Sequence, residues 1–157
     1  MRQPKLPLGG SCRCGAIRFE IQAAPAMTLA CHCRDCQRMS ASAFSLVAML
    51  PAHGFEILEG APVARSSSGS TRHHHFCPRC MTLMFTKIEG VNDRVNLRAT
   101  LCDDSSWFKP FVETMTKEKL PWAVTPARHS YVAFPSPREF KGLLEDFARC
   151  SMFGRSE

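Results

Sequence analysis

Nine cysteines fall in a chain of 157 residues, and seven of them stand in three tight groups. The groups are Cys12-Arg13-Cys14, Cys31-His32-Cys33-Arg34-Asp35-Cys36 and Cys77-Pro78-Arg79-Cys80. Thiols this close in sequence are poorly placed for ordinary structural disulfides, and such clustering points to metal in a reducing compartment. The start, Met1-Arg2-Gln3-Pro4-Lys5, leads into no apolar leader, so a cytoplasmic protein is expected. No apolar run approaches the ~20 residues a membrane span needs, so no membrane partner is expected.

The ligand count divides the seven. Cys12, Cys14, Cys77 and Cys80 supply four thiolates, enough to close one structural zinc tetrahedron. Cys31, Cys33 and Cys36 remain, and a short loop aims three sulfurs at one point. Three protein ligands leave one position for water or substrate, which is the pattern of a reactive zinc. Spacing alone leaves other partitions open, among them a triplet closed by His32 or another side chain as a second structural site. Two zinc ions are therefore expected, one structural and one held by three thiolates. A zinc with three thiolates is a weak Lewis acid but suits holding an incoming thiol as thiolate. That favours chemistry on a bound thiol over peptide hydrolysis. Cys102 and Cys150 have no neighbours and read as small buried apolar residues.

The rest of the chain reads as mainly β. Leu8-Gly9-Gly10-Ser11 looks like a glycine turn delivering Cys12, and Gly15 is suited to a positive φ just after the first pair. Ala16 to Gln22 alternates apolar and polar, as a half-buried strand does. Thr28 to Ala30 leads into the triplet, and Cys36 to Ala41 is a single helical turn. Ala43 to Leu50 and Phe55 to Gly60 read as strands, and two hairpins follow. The first turns at Gly69-Ser70; the second turns over Gly90 to Asp93 and returns along Arg94 to Leu101. Residues 103–130 carry Pro110, Pro121 and Pro126 and read as irregular chain, with Trp107 and Trp122 expected in the core. Tyr131 to Phe134 reads as a last strand. Ser136-Pro137-Arg138-Glu139 is a capping box opening a C-terminal helix over about 137–150, with Phe140, Leu143, Leu144 and Phe147 on one face. The length suits a single domain over residues 1–157.

Charge excludes little. The formal charge is +6, but the basic residues are scattered, and bound thiolates lower it further. A nucleic-acid partner is not expected from this pattern. His73, His74 and His75 tempt a metal reading, yet neighbours on a strand point to opposite faces and cannot share one ion. Arg34, Arg38 and Arg72 are candidates to attract a ligand carboxylate.

Gly10 to Glu20, the Cys31 triplet, and Arg72 through Cys80 together resemble the glutathione-dependent formaldehyde-activating enzyme family, also called the centromere protein V/formaldehyde-activating domain. Trp107 to Pro110 and Lys119 to Trp122 are similar to its C-terminal part, so the resemblance covers about residues 8–135. It implies a zinc-containing β-tent of small antiparallel sheets, with the four-thiolate zinc structural and the Cys31/Cys33/Cys36 zinc catalytic. The activity it implies is condensation of glutathione with formaldehyde to S-(hydroxymethyl)glutathione, formally a carbon–sulfur lyase. Arg34 and Arg38 would meet the thiol ligand's carboxylates, and His32 would shuttle the proton. The alternative is a noncatalytic zinc-stabilised module for a protein or nucleic-acid partner. One departure stands out: Met81-Thr82 follows the last ligand, where the family usually has Gly. A positive φ at Met81 would cost about 1 kcal/mol.

Overall fold

The computed structural model describes residues 2–153. Two sheets and a C-terminal helix make a mainly β architecture. The smaller sheet has three strands, β1 (Leu8–Ser11), β2 (Arg18–Ile21) and β5 (Phe55–Glu59), in the order β1-β2-β5. The larger sheet carries eight. In chain order these are β3 (Met27–Cys31), β4 (Ser45–Pro51), β6 (Val63–Arg65), β7 (Arg72–Phe76), β8 (Leu83–Ile88), β9 (Val91–Arg98), β10 (Val112–Thr114) and β11 (His129–Ser130). Their spatial order is β11-β10-β3-β4-β9-β8-β7-β6. Pairing is antiparallel except where β10 lies parallel to both β3 and β11.

Leu8-Gly9-Gly10-Ser11 is a strand, not the expected turn. A Cβ at Gly10 would sit 2.2 Å from the Phe19 ring and 2.5 Å from the Leu101 carbonyl oxygen. The glycine here serves close approach rather than chain reversal. The second hairpin turns one step earlier than expected: β9 begins at Val91, Gly90 takes φ +76°, and Ala99–Leu101 forms a 3-10 turn. The stretch expected to be irregular hides β10, and the last strand falls at His129–Ser130 instead of Tyr131 to Phe134. Both are short, and their register comes from the parallel partner, Val112 opposite Leu29 and Thr114 opposite Cys31.

Two apolar cores hold the layers. Phe19, Ile21, Leu50, Met84, Phe85, Leu97 and Trp107 pack in the first, with Cys12, Cys77 and Cys102 among them. Met27, Met49, Phe111 and Val112 face Leu143 and Phe147 of the helix α2 (Pro137–Phe153) in the second. The Phe111 and Phe147 rings meet edge to face at 5.2 Å. The capping box is present: the Glu139 carboxylate accepts from the Ser136 amide at 2.8 Å, and the Glu139 amide donates to Ser136 Oγ at 3.4 Å. Cys102 is buried as expected, and Trp107 lies in the core, but Trp122 is 71% exposed.

Candidate metal centres and their surroundings

The β1–β2 and β7–β8 connections meet as two knuckles of similar build. In each, the first cysteine donates its amide to the carbonyl five residues on: Cys12 to Ile17 and Cys77 to Thr82, both at 3.0 Å. In each, one residue takes the left-handed conformation, Gly15 at φ 74° and Met81 at φ 58°. The sulfurs of Cys12, Cys14, Cys77 and Cys80 all lie within 4.8 Å of one another. Cys12 and Cys14 are 3.6 Å apart, and Cys14 and Cys77 are 3.9 Å apart. A tetrahedron with zinc–sulfur bonds of about 2.3 Å has edges of about 3.8 Å, so this donor set fits one zinc ion. The sulfurs already have donors. The Ile17 amide reaches Cys12 at 3.4 Å, and Thr82 Oγ1 reaches Cys80 at 3.1 Å. That hydroxyl is the main reason the Cys80 thiol falls to about 5.

The second group is Cys31, Cys33 and Cys36, again with sulfurs within 4.8 Å. Cys31 ends β3. Cys33 is the N-cap of a short helix, α1 (Arg34–Ser40), and its sulfur accepts from the Cys36 amide at 3.4 Å. All three are half-buried. Among the described residues no fourth His, Cys, Asp or Glu offers a ligand atom to this group. Three converging sulfurs fit a zinc ion with one position left over. The thiols titrate as a unit. Cys31 is drawn down to about 5, chiefly by hydrogen bonding with Cys36, and Cys36 rises in consequence.

His32 does not join the sulfurs. Its ring is fully buried, edge-on to Phe44 at 5.2 Å, with Nε2 3.1 Å from Glu113. The open alternative in which His32 closes the triplet is not what the fold presents. Glu113, on β10, also accepts from Lys119 Nζ at 2.8 Å, Thr125 Oγ1 at 2.7 Å and Ser130 Oγ at 3.0 Å. Burial opposes the ionised carboxylate, but these four donors outweigh it and hold Glu113 at about 2. Gln37 fastens the same loop from outside, donating to the His32 carbonyl at 2.6 Å and the Glu118 carbonyl at 2.9 Å. Glu118 in turn accepts from the Arg34 amide at 2.7 Å.

Arg34 and Arg38 line one side of a cavity of about 480 Å³, with Gln37, Leu120 and the exposed Trp122 around it. Arg72 lies away on β7. The histidines of β7 are used locally. His74 Nδ1 pairs with Thr86 Oγ1 at 2.9 Å, and His75 stacks on Phe85 at 4.3 Å.

Sequence reasoning missed three polar groups around the triplet. Thr114, opposite Cys31, and Ser45, also opposite Cys31, have buried hydroxyls with no hydrogen bond of ordinary geometry. Both nonetheless face the sulfurs and favour thiolate, Thr114 at Cys31 and Ser45 at Cys36. Arg98 at the end of β9 has a buried, unpartnered Nε. Burial lowers its guanidinium from the usual range, while the negative field of Cys36, Cys31 and Cys33 works the other way. Only strand register could have revealed these residues, because they come from separate strands.

A mainly β chain with one four-thiol and one three-thiol cluster has two sites that could each hold a zinc ion. Residues 7–118 match the family described as "Glutathione-dependent formaldehyde-activating enzyme", and the chain belongs to it. The fold is similar to a crystal structure of a Rhodobacter sphaeroides protein, at TM-score 0.51 and 17% identity, over 78% of this chain and 98% of that one. No helix among the described residues is long and apolar enough to cross a membrane.

Proposed function

We propose that the chain is a zinc-dependent carbon–sulfur lyase acting on a thiol–aldehyde adduct, with glutathione and formaldehyde as the pair its family points to. The observation that carries this reading is the triplet of Cys31, Cys33 and Cys36, three converging sulfurs with no fourth protein ligand among the described residues. A zinc ion held there would keep an incoming thiol deprotonated near neutral pH and leave it nucleophilic. The protein's own residues do the rest. Arg34 and Arg38 meet a carboxylate of the thiol in the cavity beside α1. The hydroxyls of Thr114 and Ser45 support thiolate in the triplet. His32 acts by position: Glu113 grips its ring and Gln37 its carbonyl, so the peptide between Cys31 and Cys33 cannot swing. Buried as it is, His32 leaves the proton of the new hydroxymethyl group to water.

The uncatalysed adduct forms readily, so modest acceleration suffices. Exchange NMR between formaldehyde and glutathione tests the reading. The zinc-loaded protein is expected to raise the exchange rate above background, and Cys33→Ser is expected to return it to background with the fold kept. No acceleration by the wild type, with no effect of thiols on the triplet's metal, would favour the noncatalytic binding module.

A further inference from the structure

A second cavity, of about 430 Å³, lies between the two cysteine clusters. Arg13, Cys80 and Thr82 line it from the four-thiol side. Ser45 and Arg98 line it from the triplet side, and no carboxylate is among its lining residues. It shares Ser42 with the Arg34/Arg38 cavity, so the two basic cavities flank α1.

Strand register explains how this cavity reaches the triplet. Ser45 pairs with Cys31 across β3 and β4, and Val47 pairs with Arg98 across β4 and β9. Residues two apart on a strand, and residues directly opposite, share a face. Cys31, Ser45 and Arg98 therefore stand on one face of the sheet. Arg98 is half-buried, its Nε–H is sealed from water, and nothing in the fold accepts from it. A buried guanidinium donor without an acceptor is costly, whereas a carboxylate matches its geometry and charge.

We propose that this cavity is a carboxylate subsite, in which the Arg98 guanidinium, seconded by Arg13 at the rim, receives a carboxylate of the ligand whose sulfur goes to the triplet. The inference rests on the thiol reading above and deepens it. A thiol with carboxylates on both sides of its sulfur would place one in each basic cavity. Nothing is oxidised or reduced in the binding step, and no covalent bond changes.

The zinc-loaded protein is used for the test. Succinate, which has no sulfur, is titrated while the arginine Nε–H resonances are followed by proton–nitrogen NMR. The Arg98 signal, assigned as the one missing in Arg98→Met, is expected to shift. Mercaptopropionate is expected to bind about tenfold tighter than mercaptoethanol, the effect of one charged hydrogen bond. Arg98→Met should abolish that preference, and Arg98→Lys should restore part of it. An unmoved Arg98 signal, or a preference that survives in Arg98→Met, overturns the proposal. If neither thiol binds but succinate still shifts Arg98, the thiol reading fails and the subsite stands. Should Arg98→Met not fold, Arg98→Lys identifies the resonance and carries the comparison.

Discussion

Around the four-thiol cluster the nearby chain supplies partners for the sulfurs, from the Ile17 amide to the Thr82 hydroxyl. Around the triplet the Cys36 amide reaches the Cys33 sulfur and the Thr114 and Ser45 hydroxyls face Cys31 and Cys36, while the buried Arg98 Nε has no acceptor. The first cluster joins two turns far apart in sequence, with Cys12 and Cys77 in the main core. The second sits at a strand end and a seven-residue helix, with cavities on both sides. The same side chain thus serves two ends. One cluster has four thiols and ties two distant turns together; the other has three and lies beside two cavities, the arrangement expected of a closed and an open metal site.

The largest expected effect breaks the closed cluster. Losing a structural zinc removes on the order of 10 kcal/mol of folding free energy. Cys77→Ser is therefore expected to be insoluble or molten. A normal melting curve with full zinc content would show that Cys77 is not a ligand of the fold-holding ion.

A smaller effect tests what holds the triplet loop. Glu113→Gln leaves His32 and Lys119 without their charged partner, at a cost of about 3 kcal/mol by urea unfolding at neutral pH. The sign with pH follows from the lowered pKa of Glu113. Its contribution is full above the ordinary value of 4.5 and is lost as pH falls toward about 2. Wild type and variant should converge in stability across that window. A gap that stays constant down to the lower limit would assign the loss to packing instead of charge.

The smallest effect compares the two knuckles within the closed cluster. Met81 holds φ 58° and is 64% exposed, where the matching knuckle has Gly15. Met81→Gly should stabilise the zinc-loaded protein by about 1 kcal/mol, since a side chain is strained in that conformation. A destabilised variant would mean that the Met81 side chain contributes packing beyond its backbone strain.

The three tight cysteine groups were legible because their spacing is local, whereas the joining of Cys12 and Cys14 with Cys77 and Cys80 was one of several partitions that spacing left open. So was α2, whose capping box and apolar face lie within a dozen residues. The left-handed conformation at Met81 was raised only as a condition, through the resemblance to a family that usually has Gly there. Leu8 to Ser11 misled because two glycines mark a turn in most contexts, and only the Phe19 ring above Gly10 explains them. β10 was hidden by its shortness and by Glu113, a charge buried by partners from Lys119 to Ser130 and from His32 far upstream. Arg34 and Arg38 were within reach because they adjoin the triplet in sequence. Arg98 was not, since it meets Cys31 only through β4.

Zinc-edge X-ray absorption on the fully loaded protein, with and without glutathione, tests the difference between the clusters most directly. One closed and one open centre predict a mean of about 3.5 sulfurs per zinc, rising to about 4 when the thiol binds. The increase should vanish in Cys33→Ser. A mean of 4 before any thiol is added, unchanged afterwards, would contradict an open triplet centre.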